Sequence, residues 1–299
     1  MVAERVAFVT GASRGIGKAV AVAMARAGFD VAITARTVEP GEQREHSSTV
    51  KQSDTTALPG SLSETAALIE AAGRQVLMAP ADITDRASLG AAATLVLERW
   101  GRVDVLVNNA RFIGPGHMDQ LLDTPISAIE NHMQGNFFAP LVLIKLLAPS
   151  MIERGSGRII NVTSGSAVSD PLKPAGSGGW GISYGATKGA LHRVAGILGV
   201  ELEPYGILVF NLDPGYITTE RIIQDMAKFG FNPDGEPPEV PGAVAAWLAT
   251  SDEAAGLTGQ TVIAQQVCAE RNLVPGWSGP KQREMGVRPD TTAERLAAS

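Results

Sequence analysis

The chain has 299 residues, 44% hydrophobic but only 5% aromatic, and 25 Lys and Arg against 31 Asp and Glu give a net charge of −6. That balance offers no basic surface for nucleic acid, and the single cysteine, Cys268, excludes an intrachain disulfide and fits a reducing cytosol. No basic segment with an apolar signal core opens the chain and no apolar run reads as long enough to span a bilayer, so a soluble, cytoplasmic protein is expected.

The first expected strand, Ala3–Thr10, runs straight into Gly11-Ala12-Ser13-Arg14-Gly15-Ile16-Gly17 and an Ala-rich helix over Gly15–Ala27. Strand, glycine turn and helix in that order make a site where a pyrophosphate meets backbone N–H groups at a helix N-terminus. Glycine is needed there because a Cβ blocks close approach or forbids left-handed backbone angles. A second strand, Asp30–Ala35, leads through Arg36 into a polar insertion over residues 37–62, which either covers the adjacent site or forms a surface loop.

Next come a helix at Ser63–Ala72, a strand at Gln75–Pro80, a helix at Arg86–Trp100 and a strand at Val103–Asn108. A long helix is expected over Pro125–Ile152, with Thr124 as N-cap, Pro125 at the first helical position and Pro140 as a source of kinking. The strand Gly157–Thr163 is followed by a Gly- and Pro-rich loop over residues 169–181 and a helix at Ile182–Glu203. The strand Ile207–Asp213, the helix Val240–Ala249 and the strand Thr261–Ala264 complete the alternation, and a polar tail follows Trp277. This rhythm predicts an α/β domain with a parallel sheet covered on both faces, over residues 1–275, and a tail at 276–299.

Within the 182–203 helix, Tyr184 and Lys188 stand four residues apart and so share a face. A neighbouring ammonium favours the phenolate and lowers the phenol's pKa from about 10, which suits proton exchange with an alcohol oxygen near neutral pH. The phenol and the glycine turn together indicate proton transfer in a protein that also binds a pyrophosphate.

The chain resembles the short-chain dehydrogenase/reductase family, in its compact single-domain form. The likeness runs from about Val2 to Gln265 and rests on the Thr10–Gly17 turn, Asp82, Asn108-Asn109-Ala110, Asn136, Ser164, Tyr184 with Lys188, and Pro214-Gly215. It implies a Rossmann-like doubly wound, seven-stranded sheet. It also implies Tyr184 as general acid/base, Lys188 lowering its pKa and holding the nicotinamide ribose, Ser164 on the substrate oxygen, and Asn136 completing a water-borne proton relay to Lys188. Thr163 or Ser166 competes with Ser164 for its role, and Asn131 with Asn136. By the same resemblance the cofactor lies along Gly11, Ser13, Arg14, Gly15, Ile16 and Gly17. It continues past Asp82, Ile83, Asn109 and Ala110 to Pro214, Gly215, Ile217 and Thr219.

NAD-specific relatives typically end the second strand in Asp; here Ala35 and Arg36 stand there. Losing the carboxylate removes repulsion toward a 2′-phosphate, and a guanidinium binds such a phosphate bidentately, with Arg14 as a second cation. NADP(H) is therefore expected over NAD(H), and no metal. Arg111 stands where relatives commonly have Gly, and the gap from Ser164 to Tyr184 is longer than usual. Phe112, Ile113, Ser166, Trp180, Tyr216 and residues from Ile222 to Phe231 are expected to gather into a mostly apolar pocket for a lipophilic carbonyl or secondary alcohol, with Ile217–Phe231 as a lid helix. A homodimer or homotetramer built on the 125–152 and 182–203 helices is expected. The competing reading is a non-catalytic NAD(P)-binding sensor or scaffold, which the presence of Tyr184 and Lys188 disfavours.

Overall fold

The computed structural model describes residues 5–227, 233–281 and 287–289. In chain order the strands are β1 (Arg5–Thr10), β2 (Phe29–Thr34), β3 (Val76–Met78), β4 (Val105–Asn108), β5 (Gly157–Val162), β6 (Ser169–Pro171), β7 (Ile207–Asp213), β8 (Thr261–Ile263) and β9 (Val287–Pro289). The helices are α1 (Gly15–Arg26), α2 (Leu62–Ala71), α3 (Arg86–Trp100), α4 (Ile126–Met133), α5 (Ala139–Arg154), α6 (Ile182–Leu202), α7 (Glu220–Ala227), α8 (Glu239–Thr250) and α9 (Ala264–Arg271). Seven strands form one sheet in the order β3-β2-β1-β4-β5-β7-β8, and every adjacent pair is parallel.

The sheet is apolar on both faces because helices cover both. Val6, Ala7, Phe8 and Val9 of β1 are all fully buried, two toward each side. One layer packs Val20 and Met24 of α1, Leu62 and Ile69 of α2, Val244 and Leu248 of α8 and Cys268 of α9. The other packs Leu89 and Val96 of α3, Leu143 and Leu147 of α5, and Leu191 and Val194 of α6. Chain order reverses direction between β1 and β4, so a crevice opens above their C-terminal ends, the place where such sheets bind ligands.

The expected strands and helices are present, with ends shifted by one or two residues, and residues 3–4 of the first strand lie outside the described residues. The long helix departs from expectation in two ways. Thr124 does not cap it: its hydroxyl donates to Gln120 O (2.8 Å) and the helix starts after Pro125. Between α4 and α5 a π-helical turn spans Gln134–Phe138, and Pro140 follows it in the first turn of α5, where its missing N–H costs no helical bond. The continuous run Ile126–Arg154, against the expectation drawn from the sequence, is long and apolar enough to cross a membrane by length and composition, although half of its most apolar stretch is buried inside the fold.

The helix α9 and the antiparallel pair β6–β9 have no counterpart in the expected elements. Through that pair the tail holds the 169–181 loop, and further back Trp277 Nε1 and Lys281 N donate to the buried Glu236 carboxylate (2.9 and 3.0 Å). A helix, α7, stands within the stretch Ile217–Phe231 where a lid helix was expected, and residues 228–231 of that stretch lie outside the described residues.

Candidate active site

A single cleft of about 1520 Å3 runs along the C-terminal edge of the sheet. Every cofactor residue expected from the sequence lines it, from Gly11 through Arg36, Asp82 and Asn109 to Thr219, together with Ser164, Tyr184 and Lys188.

The glycine turn is built by close packing. A Cβ on Gly17 would lie 2.1 Å from Gly11 O and 2.4 Å from Asn109 Nδ2, so no other residue fits there. Asn109 Nδ2 donates to Thr10 O (2.8 Å), and the Thr10 hydroxyl accepts from Asn109 N (3.0 Å) and Ala110 N (2.9 Å). Asn109 therefore fastens the β4 exit to the turn. The N-cap of α1, Arg14, gives no side-chain cap, so the helix presents first-turn N–H groups to the cleft at Gly15, Ile16 and Gly17. One of them is answered from across the cleft. Gly15 N donates to Glu220 Oε2 (2.8 Å), and Lys18 pairs with the other carboxylate oxygen. Burial opposes ionisation of Glu220, yet Lys18 and the Gly15 N–H hold its carboxyl below the ordinary value.

Arg14 was expected to serve a 2′-phosphate. Its guanidinium instead donates to the carbonyls of Pro59 (2.8 Å), Gly60 (2.8 Å) and Leu58 (3.4 Å) and to the Thr37 hydroxyl (3.3 Å). Arg36 has a looser partner, Asp82 at 3.9 Å, with both side chains over a third exposed.

At the other end, α6 places Tyr184 and Lys188 as the four-residue spacing predicts. Lys188 Nζ is buried and donates to Val162 O at the end of β5 (2.7 Å). The Tyr184 phenol shares this end of the cleft with Ser164 and Ser166, whose hydroxyls lie 3.1 Å apart. Burial would raise the phenol's pKa, but the cations Arg111 and Lys188, with the two serines, pull it below its ordinary value. Burial also lowers the pKa of Lys188 itself, against the pull of the Tyr184 phenolate and Asp213.

Asn136 stands apart: it is buried behind the cleft, within the π-helical turn. Its Oδ1 accepts from Phe112 N (2.6 Å) and its Nδ2 donates to Thr187 Oγ1 (3.1 Å), so it ties the β4 exit loop to α6. It makes no direct bond to Lys188, whose ammonium is taken by Val162 O.

Of the two paths the sequence left open for the 37–62 insertion, the structure has the one over the cleft, and His117 and Glu220 join the site without having been singled out from the sequence. The insertion is anchored across the mouth of the cleft: Thr49 Oγ1 and Val50 N donate to the buried Asp119 (2.6 and 2.8 Å), Met118 N donates to Ser48 O (2.8 Å), and Arg221 of α7 donates to His46 O (2.7 Å). Its Arg44, His46, Thr56 and Leu58 line the cleft. His117 packs edge-on against the Tyr184 ring (4.7 Å between centroids), and Glu220 holds the N-terminus of α1. Only Glu220, next to the expected Thr219, carried a signal of position; the others arrive through long-range packing.

The residues present fit a dinucleotide: a helix N-terminus without a side-chain cap opens on the cleft, and a phenol tuned by cations stands at its far end. A family model described as short chain dehydrogenase matches residues 5–64 and 52–228, two overlapping segments that together cover most of the chain. A human protein, dehydrogenase/reductase SDR family member 7, is 31% identical over 226 residues, which is 75% of this chain and 58% of that protein, so this chain spans little more than half the length of that relative. An uncharacterized NAD-dependent oxidoreductase of Mycobacterium tuberculosis is 34% identical over 75% of this chain and 77% of its own length. The crystal structure of a metagenomic short-chain oxidoreductase in complex with NADP, 29% identical, superposes with a TM-score of 0.65 over 87% of this chain and 95% of that one.

Proposed function

This chain belongs to the short-chain dehydrogenase family of oxidoreductases, and on that premise we propose that it moves a hydride between a nicotinamide cofactor and a carbonyl or secondary alcohol, with Tyr184 as general acid and base. The observation that carries this reading is that Tyr184, Ser164, Ser166, Lys188 and Arg111 come together at one end of a cleft that begins at the α1 N-terminus. The nicotinamide, when bound, supplies or accepts the hydride. Ser164 and Ser166 hold the substrate oxygen by hydrogen bonds. Tyr184 gives that oxygen a proton on reduction and takes it back on oxidation. Lys188, pinned by Val162 O, keeps a positive charge beside the phenolate. Asn136 positions the β4 exit loop against α6.

For the cofactor we favour NADP(H). Ala35 leaves no carboxylate at the end of β2, and Arg36 faces the cleft with Arg44 beside it, its side chain donating to Arg36 O. The relatives differ here, since one is called NAD-dependent and another was crystallised with NADP. Phe112, Trp180, Tyr216 and Ile222 in the cleft favour a substrate with an apolar body. A homo-oligomer joined through α5 and α6 completes the reading.

One experiment tests both parts. NADPH and NADH are titrated by fluorescence into the wild type, Tyr184→Phe and Arg36→Ala, and ketone reduction is then assayed. Tyr184→Phe is expected to bind NADPH as before and lose about 10²–10⁴-fold in turnover. Arg36→Ala is expected to lose the preference for NADPH over NADH. Unchanged preference in Arg36→Ala would sink the cofactor assignment, and full turnover in Tyr184→Phe would sink the catalytic one.

A further inference from the structure

Arg111 lines the catalytic half of the cleft, half-buried, with its guanidinium carbon 5.6 Å from the centre of the Tyr184 ring. Among the described residues it meets no carboxylate and no hydrogen-bond acceptor; the ring is its one recorded partner. The other arginines of the cleft differ: Arg14 and Arg44 are bonded within the insertion, Arg221 holds His46 O, and Arg36 faces Asp82. A guanidinium has five N–H donors in a planar fork, and those of Arg111 are open to whatever enters the cleft.

The surroundings have the same sign. Burial and then the cations Arg111, Arg221 and Lys188 push the His117 imidazole toward its neutral form, and burial does the same for its neighbour His132. Two acids of this region have donors of their own: Asp119 accepts from Thr49, Val50 and Gly116, and Asp213, which also lines the cleft, accepts from Gly215 N and acts on Lys188. The substrate end is thus an apolar chamber with a positive potential and one uncommitted fork of donors. A cleft of that kind draws in an anion and fixes it bidentately.

We propose that the substrate carries a carboxylate, which pairs with Arg111 while the reacting carbon lies at Tyr184, making the reactant an oxo acid with an apolar tail and the product the matching hydroxy acid. This rests on the assignment of Tyr184 given above. The short span from the guanidinium to the ring puts the carboxylate within a few bonds of the carbonyl. The carboxylate is unchanged in the reaction: the carbonyl carbon gains a hydride and its oxygen a proton from Tyr184, and the two electrons come from the reduced nicotinamide, which is oxidised.

The test compares an alkyl 2-oxo acid and an alkyl 4-oxo acid with their methyl esters, in the wild type and in Arg111→Met, reading kcat/KM with NADPH. The equilibrium Kd for NADPH, and for each acid on the enzyme–NADPH complex, is measured alongside. In the wild type at least one acid should exceed its ester about tenfold or more, the range of a hydrogen-bonded ion pair. In Arg111→Met that ratio should fall to about one while the Kd for NADPH stays put. Equal use of acid and ester by the wild type, or a ratio that survives the substitution, overturns the proposal. So does a loss of NADPH affinity matching the loss of acid, which would give Arg111 to the cofactor's phosphates. An effect through the Tyr184 phenol alone slows acid and ester equally and leaves the ratio intact. If the wild type turns over neither acid nor ester, the Tyr184 reading fails separately. The binding measurement then decides for Arg111, since acid held by the wild type and released by Arg111→Met supports it and acid held by neither overturns it.

Discussion

Tyr184 is pulled two ways: burial favours its neutral form, while Arg111, Lys188 and the hydroxyls of Ser164 and Ser166 favour the phenolate, and the charges win. The direction fixes a pH dependence. Carbonyl reduction needs the phenol protonated, so its rate should fall as pH rises through a Tyr184 pKa set below 10; alcohol oxidation should rise over the same range. Arg111→Met removes one of the two cations and should move that limb to higher pH, as a pH–rate profile on an uncharged ketone would show. At this scale the sequence was legible where chemistry is local: four residues of helix put Lys188 beside Tyr184 whatever the rest of the fold does. It was not legible for Asn136, whose partners Phe112 N and Thr187 Oγ1 lie 24 and 51 residues away. Distance in the chain also hid His117, and it hid the partners of the Arg14 guanidinium, carbonyls about 45 residues further on.

Among the elements, the insertion changes the cleft most. A polar segment without period offers no helix or strand signal, so its path had to come from tertiary contacts, chiefly Asp119. That carboxylate is buried and takes three donors, from Thr49, Val50 and Gly116. Asp119→Ala leaves them without an acceptor and should cost about 1–3 kcal/mol, lowering Tm by several degrees. It should also free the exposed Lys51 beside the anchor for faster tryptic cleavage. An unchanged cleavage rate at Lys51 would mean that other contacts hold the strap. The elements missing from the sequence reading share a cause. The strands β6 and β9 have three residues each and find one another across more than a hundred positions, too short for any alternation to register. The cap at Thr124 looked sound because a hydroxyl precedes a proline, but the turn at residues 121–123 claims that hydroxyl first.

At the level of the whole molecule, burial accounts for most of the apolar surface and leaves a remainder. Along α6, Ile197 is half exposed and Val200 is 73% exposed, and Leu146 of α5 is also bare. Continuous apolar exposure on long helices is characteristic of subunit contacts. Ile197→Glu combined with Val200→Glu should turn an oligomer into monomers by sedimentation velocity, with the fold intact by circular dichroism; an unchanged sedimentation coefficient would remove α6 from the contact. The α/β alternation was readable along nearly the whole chain because strands buried on both faces are uniformly apolar and glycine turns punctuate them. A subunit contact would leave a weaker trace, since an apolar face for a neighbour and one for the core are written in the same residues.

Glu220 adds a constraint on how the cleft can fill. Its carboxylate sits on the Gly15 N–H and on Lys18, so the positive end of α1 already has a counter-ion, and that counter-ion is part of α7. A phosphate cannot share that donor with it. An anion that took the Gly15 N–H would have to displace Glu220 and, with it, this contact between α7 and α1.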